Sequence, residues 1–269
     1  MVVCIAHRGA RSLAPENTLA AARRGLEAGA DLWETDVGVT ADGELILFHD
    51  DSLTRTTDAI TRFPDRAPWT FTTFALAEIR SLDAGAWFVD TDPFEQIASG
   101  AVTPAELASY RGEQVPTLRE ALIWTQDVSW RANLELKRLP PPMERFPIVE
   151  RVLALIGELG IATRCIIISS FNHVWLREVQ ARCPQIAIQA LIGWPPTEPL
   201  DWGDWEFEVY NARSTLIDEE QIHRAMEQGK VVNIFTVNEE SEMRRFIAAG
   251  VAGLFTDFPQ RLADLRRVP

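Results

Sequence analysis

Four short stretches hold most of the side chains that could do chemistry together. His7 and Arg8 follow the apolar run VVCIA (2–6). Glu34 and Asp36 stand two apart in WETDV (33–37). His49 and Asp50 close the run LILFHD (45–50), and Glu135 and Lys137 stand two apart in NLELK (133–137). Residues two apart in a strand face the same side. Glu34 therefore projects with Asp36, and Glu135 with Lys137. Three converging carboxylates repel one another unless a cation sits among them. A hard divalent ion with oxygen ligands, Mg²⁺ or Ca²⁺, suits such a cluster. Zinc suits it less. Two histidines beside a bound anion could serve as general acid and general base. Arg8 and Lys137 could bind that anion, the arginine as a planar fork on phosphate oxygens. The set fits phosphoryl-ester chemistry better than sugar isomerisation. Taken singly, each residue has a plainer reading. A lone strand carboxylate is usually solvated or paired, His7 could be a core histidine, and His49 could cap a turn with Asp50 and Asp51. Their joint placement at strand ends favours a site. His173 and His223 fall in helix patterns and read as structural or surface residues.

The elements that would position these residues alternate. Strand candidates are 2–6, 32–37, 45–49, 133–137, 165–169, 186–192, 207–212, 231–237 and 253–257. Between them lie amphipathic stretches at 17–29, 116–126, 149–160, 219–229 and 239–250, several ending in Gly as helices often do. Alternating β and α with near-continuous apolar strands predicts a parallel sheet. About eight such units in one chain suggest a (β/α)₈ TIM barrel, with a doubly wound sheet as the alternative. Catalytic groups of such a barrel gather at the C-terminal ends of its strands. Residues 51–115 break the rhythm, with one modest helix pattern around 76–82, and read as a small insertion on a single domain spanning 1–269. RLPPPMERFP (138–147) is a second irregular piece.

Composition narrows the function further. The chain has 269 residues, and its net charge of −13 disfavours nucleic acid and anionic lipid surfaces as partners. A small-molecule substrate is expected, and an anionic one needs local cations. The three cysteines, Cys4, Cys165 and Cys183, show no metal-type spacing. Cys4 and Cys165 lie in apolar runs and read as small buried hydrophobes. An odd count, no visible signal peptide and no apolar run of the roughly 18 residues a membrane span needs point to a reducing, cytoplasmic setting without membrane insertion.

The motifs HRG (7–9), PENT (15–18), ETDV (34–37), TADG (40–43), HDDSLTRTT (49–57), LELK (134–137), SSF (169–171), TVN (236–238) and TDFP (256–259) run in order along nearly the whole chain. In this combination the sequence resembles a glycerophosphodiester phosphodiesterase. The resemblance implies a TIM barrel with a small insertion after the HD motif. It implies hydrolysis of glycerophosphodiesters to glycerol 3-phosphate and an alcohol, with one divalent cation. Carried over position by position, it makes His7 and His49 the acid–base pair. Glu34, Asp36 and Glu135 become the metal ligands, and Arg8 and Lys137 hold the phosphate. Glu16 and Asn17 orient their neighbours, and PENT also starts the first helix, with Asn17 or Thr18 near its N-terminus.

Two positions and one stretch depart from the pattern. Phe235 stands before TVN, where family members often have Trp; it can still form an apolar wall against substrate but lacks the indole donor. GVAG (250–253) has Ala252 in place of an Asp, and 58–69 is not Gly-rich. These changes bear on substrate choice more than on catalysis. A rival is a lysophospholipase C- or D-type phosphodiesterase, whose apolar channel LIGWPPTEPLDWGDWEF (191–207) could line. The plainer reading packs those tryptophans on the barrel mouth. A non-catalytic binding protein of the same fold is the remaining alternative.

Overall fold

The computed structural model describes residues 1–267. In chain order the elements are β1 (Val3–Ala6), α1 (Leu19–Glu27), β2 (Leu32–Val39), β3 (Leu45–Leu47), α2 (Ala59–Arg62), α3 (Leu76–Ile79), α4 (Ala86–Thr91), α5 (Pro104–Tyr110) and α6 (Leu118–Asp127). They continue with β4 (Ala132–Leu136), α7 (Ile148–Glu158), β5 (Ile166–Ser170), α8 (His173–Arg182), β6 (Ala187–Ile192) and β7 (Val209–Arg213). The last are α9 (Glu219–Glu227), β8 (Val231–Phe235), α10 (Glu240–Ala248), β9 (Gly253–Thr256) and α11 (Pro259–Arg267).

Eight parallel strands form a closed ring in the order β1, β2, β4, β5, β6, β7, β8, β9, with β9 pairing back onto β1. This is the TIM barrel expected from the alternation. Its lumen is packed rather than open. Ile5, Leu32, Ile167 and Phe255 form a buried apolar group. Beside it runs a polar chain in which the Asn233 amide donates to Asn211 at 2.9 Å and Asn211 donates to Gln189 at 3.0 Å. Gly253 makes room for that chain, since a Cβ there would lie 2.7 Å from Asn233 Oδ1. Odd and even positions of β2 part as the strand period requires. Trp33 faces outward, edge-on to Trp124 at 6.1 Å, with its indole N–H donated to Thr125.

Three features differ from the expectations. The 45–49 run is not a ring strand. Residues 45–47 pair antiparallel with β2 outside the barrel, because only a short turn at 40–44 separates the two, and parallel pairing needs a long crossover. The 51–115 segment holds four short helices rather than one, three of them only four to six residues long. So short a helix leaves almost no periodic signal, and these stand by packing. They close over Leu53, Phe74, Ile79 and Leu82, and through Phe88, Val102 and Tyr110 against Leu13 and Ala21. Finally, Cys165 is only half-buried, whereas Cys4 is fully buried as expected. No helix among the described residues is long and apolar enough to cross a membrane.

Candidate active site

The C-terminal ends of β1, β2 and β4 lie side by side in the ring. The register places Asp36 beside Glu135 and Glu34 beside Asn133. Glu34, Asp36 and Glu135 each offer an oxygen, and these three atoms lie within 4.8 Å of one another. Lys137 Nζ sits 3.5 Å from Asp36 and 4.0 Å from Glu135. Arg8 Nε lies 3.4 Å from Asp36 on the other side. The Asp36 carboxyl is held below its ordinary range by Lys137, His49, Arg8 and the Asn17 amide, which together outweigh its burial. For Glu34 and Glu135 burial and the neighbouring carboxylates win, and both are pushed above the usual value.

The cluster tests well as a cation site. Its two basic side chains do not offset the three acids. Glu34 Oε1 is buried without any hydrogen-bond partner, while its other oxygen accepts the Arg8 N–H at 2.9 Å. An all-oxygen donor set with one orphaned carboxylate oxygen suits a hard divalent ion.

The backbone after β1 is shaped to serve this cluster. Arg8 and Gly9 both have positive φ, 54° and 79°. The turn aims the Arg8 N–H at Glu34. A side chain at Gly9 is barred, because a Cβ would lie 2.5 Å from the Ala21 carbonyl carbon in α1. Thr18 caps α1 by accepting the Ala21 N–H. Asn17 just before it, at φ 55°, is spent on β2. Its amide donates to Asp36 at 2.9 Å and accepts from Thr35 Oγ1 at 2.8 Å and Asp36 N at 3.2 Å. Buried Glu16 accepts from Arg8 at 2.8 Å and from Arg55 at 2.6 and 3.0 Å, and Arg11 lies 3.5 Å away. Those guanidiniums hold Glu16 well below the ordinary carboxylate range despite its burial.

Both histidines are anchored at Nδ1. His7 pairs with Asp257 at 2.7 Å and His49 with Asp50 at 2.6 Å. Asp257 in turn accepts from Asn238 at 2.7 Å and meets Arg11 Nε at 3.2 Å. Asp50 is gripped by Arg55 at 2.5 and 3.0 Å. Burial pushes the His7 imidazole down to about 4, against the pull of Asp257. The imidazole and Arg11 hold Asp257 itself below the usual value. In each histidine the anchored Nδ1 leaves Nε2 as the ring nitrogen for a substrate.

The sequence-derived site residues thus meet at one end of the barrel, with Phe235 across from them. The residues that sequence reasoning left without a role are Asp257, Asn238, Arg55, Arg11 and Asp50. All but Arg11 stand in the quoted motifs TDFP, TVN and HDDSLTRTT, so the motifs marked their positions without their purpose. His173 is structural, its Nε2 3.0 Å from the Leu191 carbonyl, and His223 is on the surface. Ala252 precedes β9 at the opposite end of the barrel, remote from the cluster.

A closed parallel barrel thus carries two carboxylate-anchored imidazoles and a carboxylate trio at the C-terminal ends of its strands, a set that suits phosphoryl-ester chemistry. Residues 7–261 match the Glycerophosphoryl diester phosphodiesterase family. A glycerophosphodiester phosphodiesterase of Caldanaerobacter subterraneus is 33% identical over 98% of this chain and 97% of its own length. One from Bacillus altitudinis is 31% identical over 99% of this chain and 98% of its own. A phosphodiesterase of Oleispira antarctica, solved in complex with the product sn-glycerol-3-phosphate, superposes with a TM-score of 0.76 at 26% identity, covering 97% of this chain and 95% of that one. The chain belongs to the glycerophosphoryl diester phosphodiesterase family and is a phosphodiesterase.

Proposed function

We propose that the protein hydrolyses glycerophosphodiesters to glycerol 3-phosphate and an alcohol, using His7 and His49 as the acid–base pair and one divalent cation, Mg²⁺ or Ca²⁺, held by Glu34, Asp36 and Glu135. The observation that carries this reading is the pair of carboxylate-anchored imidazoles beside the buried carboxylate trio. When bound, the cation would offset the diester's charge and act as a Lewis acid on a phosphoryl oxygen. Arg8 and Lys137 bring fixed positive charge to the same place and favour an anionic transition state there. Glu16 and Asn17 keep Arg8 and Asp36 in position. His7, neutral at neutral pH because of its burial, is in the state that can accept a proton from the attacking oxygen. His49 then protonates the leaving alkoxide. Phe235 forms an apolar part of the substrate wall.

The test is release of glycerol 3-phosphate from a glycerophosphodiester with Mg²⁺, with Ca²⁺ and with EDTA. Turnover stopped by EDTA and restored by one of the ions supports the reading and names the ion. Turnover unaffected by EDTA removes the metal from it. The lysophospholipid reading gains little here. Trp202 and Trp205 stack on each other at 4.7 Å and pack on Tyr210, which leaves only Trp194 of that loop strongly exposed. A rate that rises with acyl chain length would reverse that judgement. The three free cysteines favour a reducing, cytoplasmic location.

A further inference from the structure

Arg213 ends β7, which lies opposite β2 in the eight-stranded ring. It therefore stands across the barrel mouth from Glu34 and Asp36. Its Nε donates to the Gly193 carbonyl at 2.7 Å. Its guanidinium rests 5.2 Å from the Phe235 ring centre and 5.8 Å from that of Trp194. Phe171 closes the wall, 6.0 Å from Phe235 and 6.4 Å from Trp194. Arg8, Arg11 and Arg55, beside the carboxylate cluster, are ion-paired with Glu16, Asp36, Asp50 and Asp257. The acidic group acting on Arg213 is Glu135, from beyond ion-pair distance, and half-burial pushes the guanidinium's pKa down. The result is a cation at the mouth, held in place by one hydrogen bond and two rings, with its terminal N–H groups uncommitted.

A diester held by its phosphate at β1, β2 and β4 must send one arm toward this wall. The wall opens onto the 193–208 loop, where Trp194 is 68% exposed, so it can take the arm that varies in size. Aromatic rings at such a mouth could cage a quaternary ammonium. Here Arg213 already occupies the faces of Phe235 and Trp194, and its charge repels a second cation. We propose that Arg213 is a specificity-determining residue that selects diesters whose alcohol carries an oxyanion, such as a carboxylate, over those whose alcohol carries only an ammonium. This rests on the phosphodiesterase reading above.

The matched probes are glycerophosphoserine and glycerophosphoethanolamine, which differ by one carboxylate, with glycerophosphocholine as a third. The wild-type protein should show a kcat/KM for the serine diester about tenfold or more above the ethanolamine diester, with choline lowest. In Arg213→Gln that ratio should fall to about twofold or less, while Arg213→Lys keeps part of it. A ratio is unaffected by a general loss of rate. A wild-type ratio near one, or in favour of ammonium alcohols, overturns the proposal whether or not any variant folds. So does a ratio unchanged in Arg213→Gln. Calorimetric titration of the same diesters into His49→Asn with Mg²⁺ or Ca²⁺ separates the two readings. If no diester is turned over, the phosphodiester-hydrolysis reading fails, while tighter binding of the serine diester still supports Arg213 and equal binding overturns it.

Discussion

Each imidazole of the site is held by its own carboxylate, and each carboxylate by its own guanidinium. Asp257 touches His7 but no reacting atom, so its contribution is positional. Asp257→Asn should lower kcat by about one to two orders of magnitude with little change in KM. His7→Asn should cost about two to four orders, the usual worth of a positioned acid or base. The double variant should be no slower than His7→Asn, because the two act as a unit. Additive losses in steady-state kinetics would place Asp257 in a separate role.

The acidic trio makes a second prediction with the opposite sign from most carboxylates. Glu34 and Glu135 are held above their ordinary value of 4.5 by burial and by their neighbours. As pH rises past that value the unfolded chain gives up these protons first, so in EDTA the native state loses stability on going toward neutral pH. Glu34→Gln removes one such group, and the new amide's oxygen can take the place of the carboxylate oxygen that accepts the Arg8 N–H. Its metal-free melting temperature near neutral pH should match or exceed the wild type by a few degrees. Adding the divalent ion should raise the wild type and not the variant. Thermal melts with and without EDTA read both parts. A variant that melts lower than the wild type in EDTA would show that Glu34 is stabilised without a cation.

At the scale of elements, the junction of β1 and α1 carries the site, and it is set by backbone sterics. Gly9 has a positive φ and α1 pressed against it. Gly9→Ala should cost about 2–4 kcal/mol in denaturant unfolding. Thr18→Ala removes only the cap of α1 and should cost about 1 kcal/mol. Near-equal losses would mean that the helix shifts to admit the methyl group. The short helices between β3 and α6 do comparable work from the other side, since this segment supplies Arg55 and with it the anchor of Asp50 and Glu16.

For the whole molecule, closure of the ring is what assembles the site. β9 pairs with β1, and that brings Asp257 and Asn238 to His7. The closure is pinned from outside by Arg266 of α11, which bonds to Asp31 and to the Val2 carbonyl, while Asp31 accepts the Cys4 N–H at 2.7 Å. Cys4 lies under that seam, and its burial pushes the thiol up to about 12. In the native protein a thiol reagent at neutral pH should therefore modify the half-buried Cys165 and Cys183 and spare Cys4 until denaturant is added. Rapid labelling of all three in the folded state would show that the seam opens.

The sequence by itself determined what is local. Strand runs, helix caps and the same-face pairs Glu34 with Asp36 and Glu135 with Lys137 follow from periods of two and 3.6 residues, and those periods are written in neighbouring positions. The barrel followed because the repeating β/α units leave few ways to cover a parallel sheet. The family motifs added the remaining residues of the site. Only the tertiary structure decided which charges meet. Asp257 lies 250 positions from His7, and Arg55 lies 39 from Glu16. The motifs mark both positions, but nothing in either neighbourhood tells which distant charge each residue meets. Arg213 is the converse case, since its lack of an ion-pair partner can be seen only once every carboxylate at the mouth has been placed. Burial has the same origin. Whether a carboxyl is pushed up like Glu34 or held down like Asp36 depends on the balance of desolvation and neighbouring charge, and that balance exists only after the ring has closed.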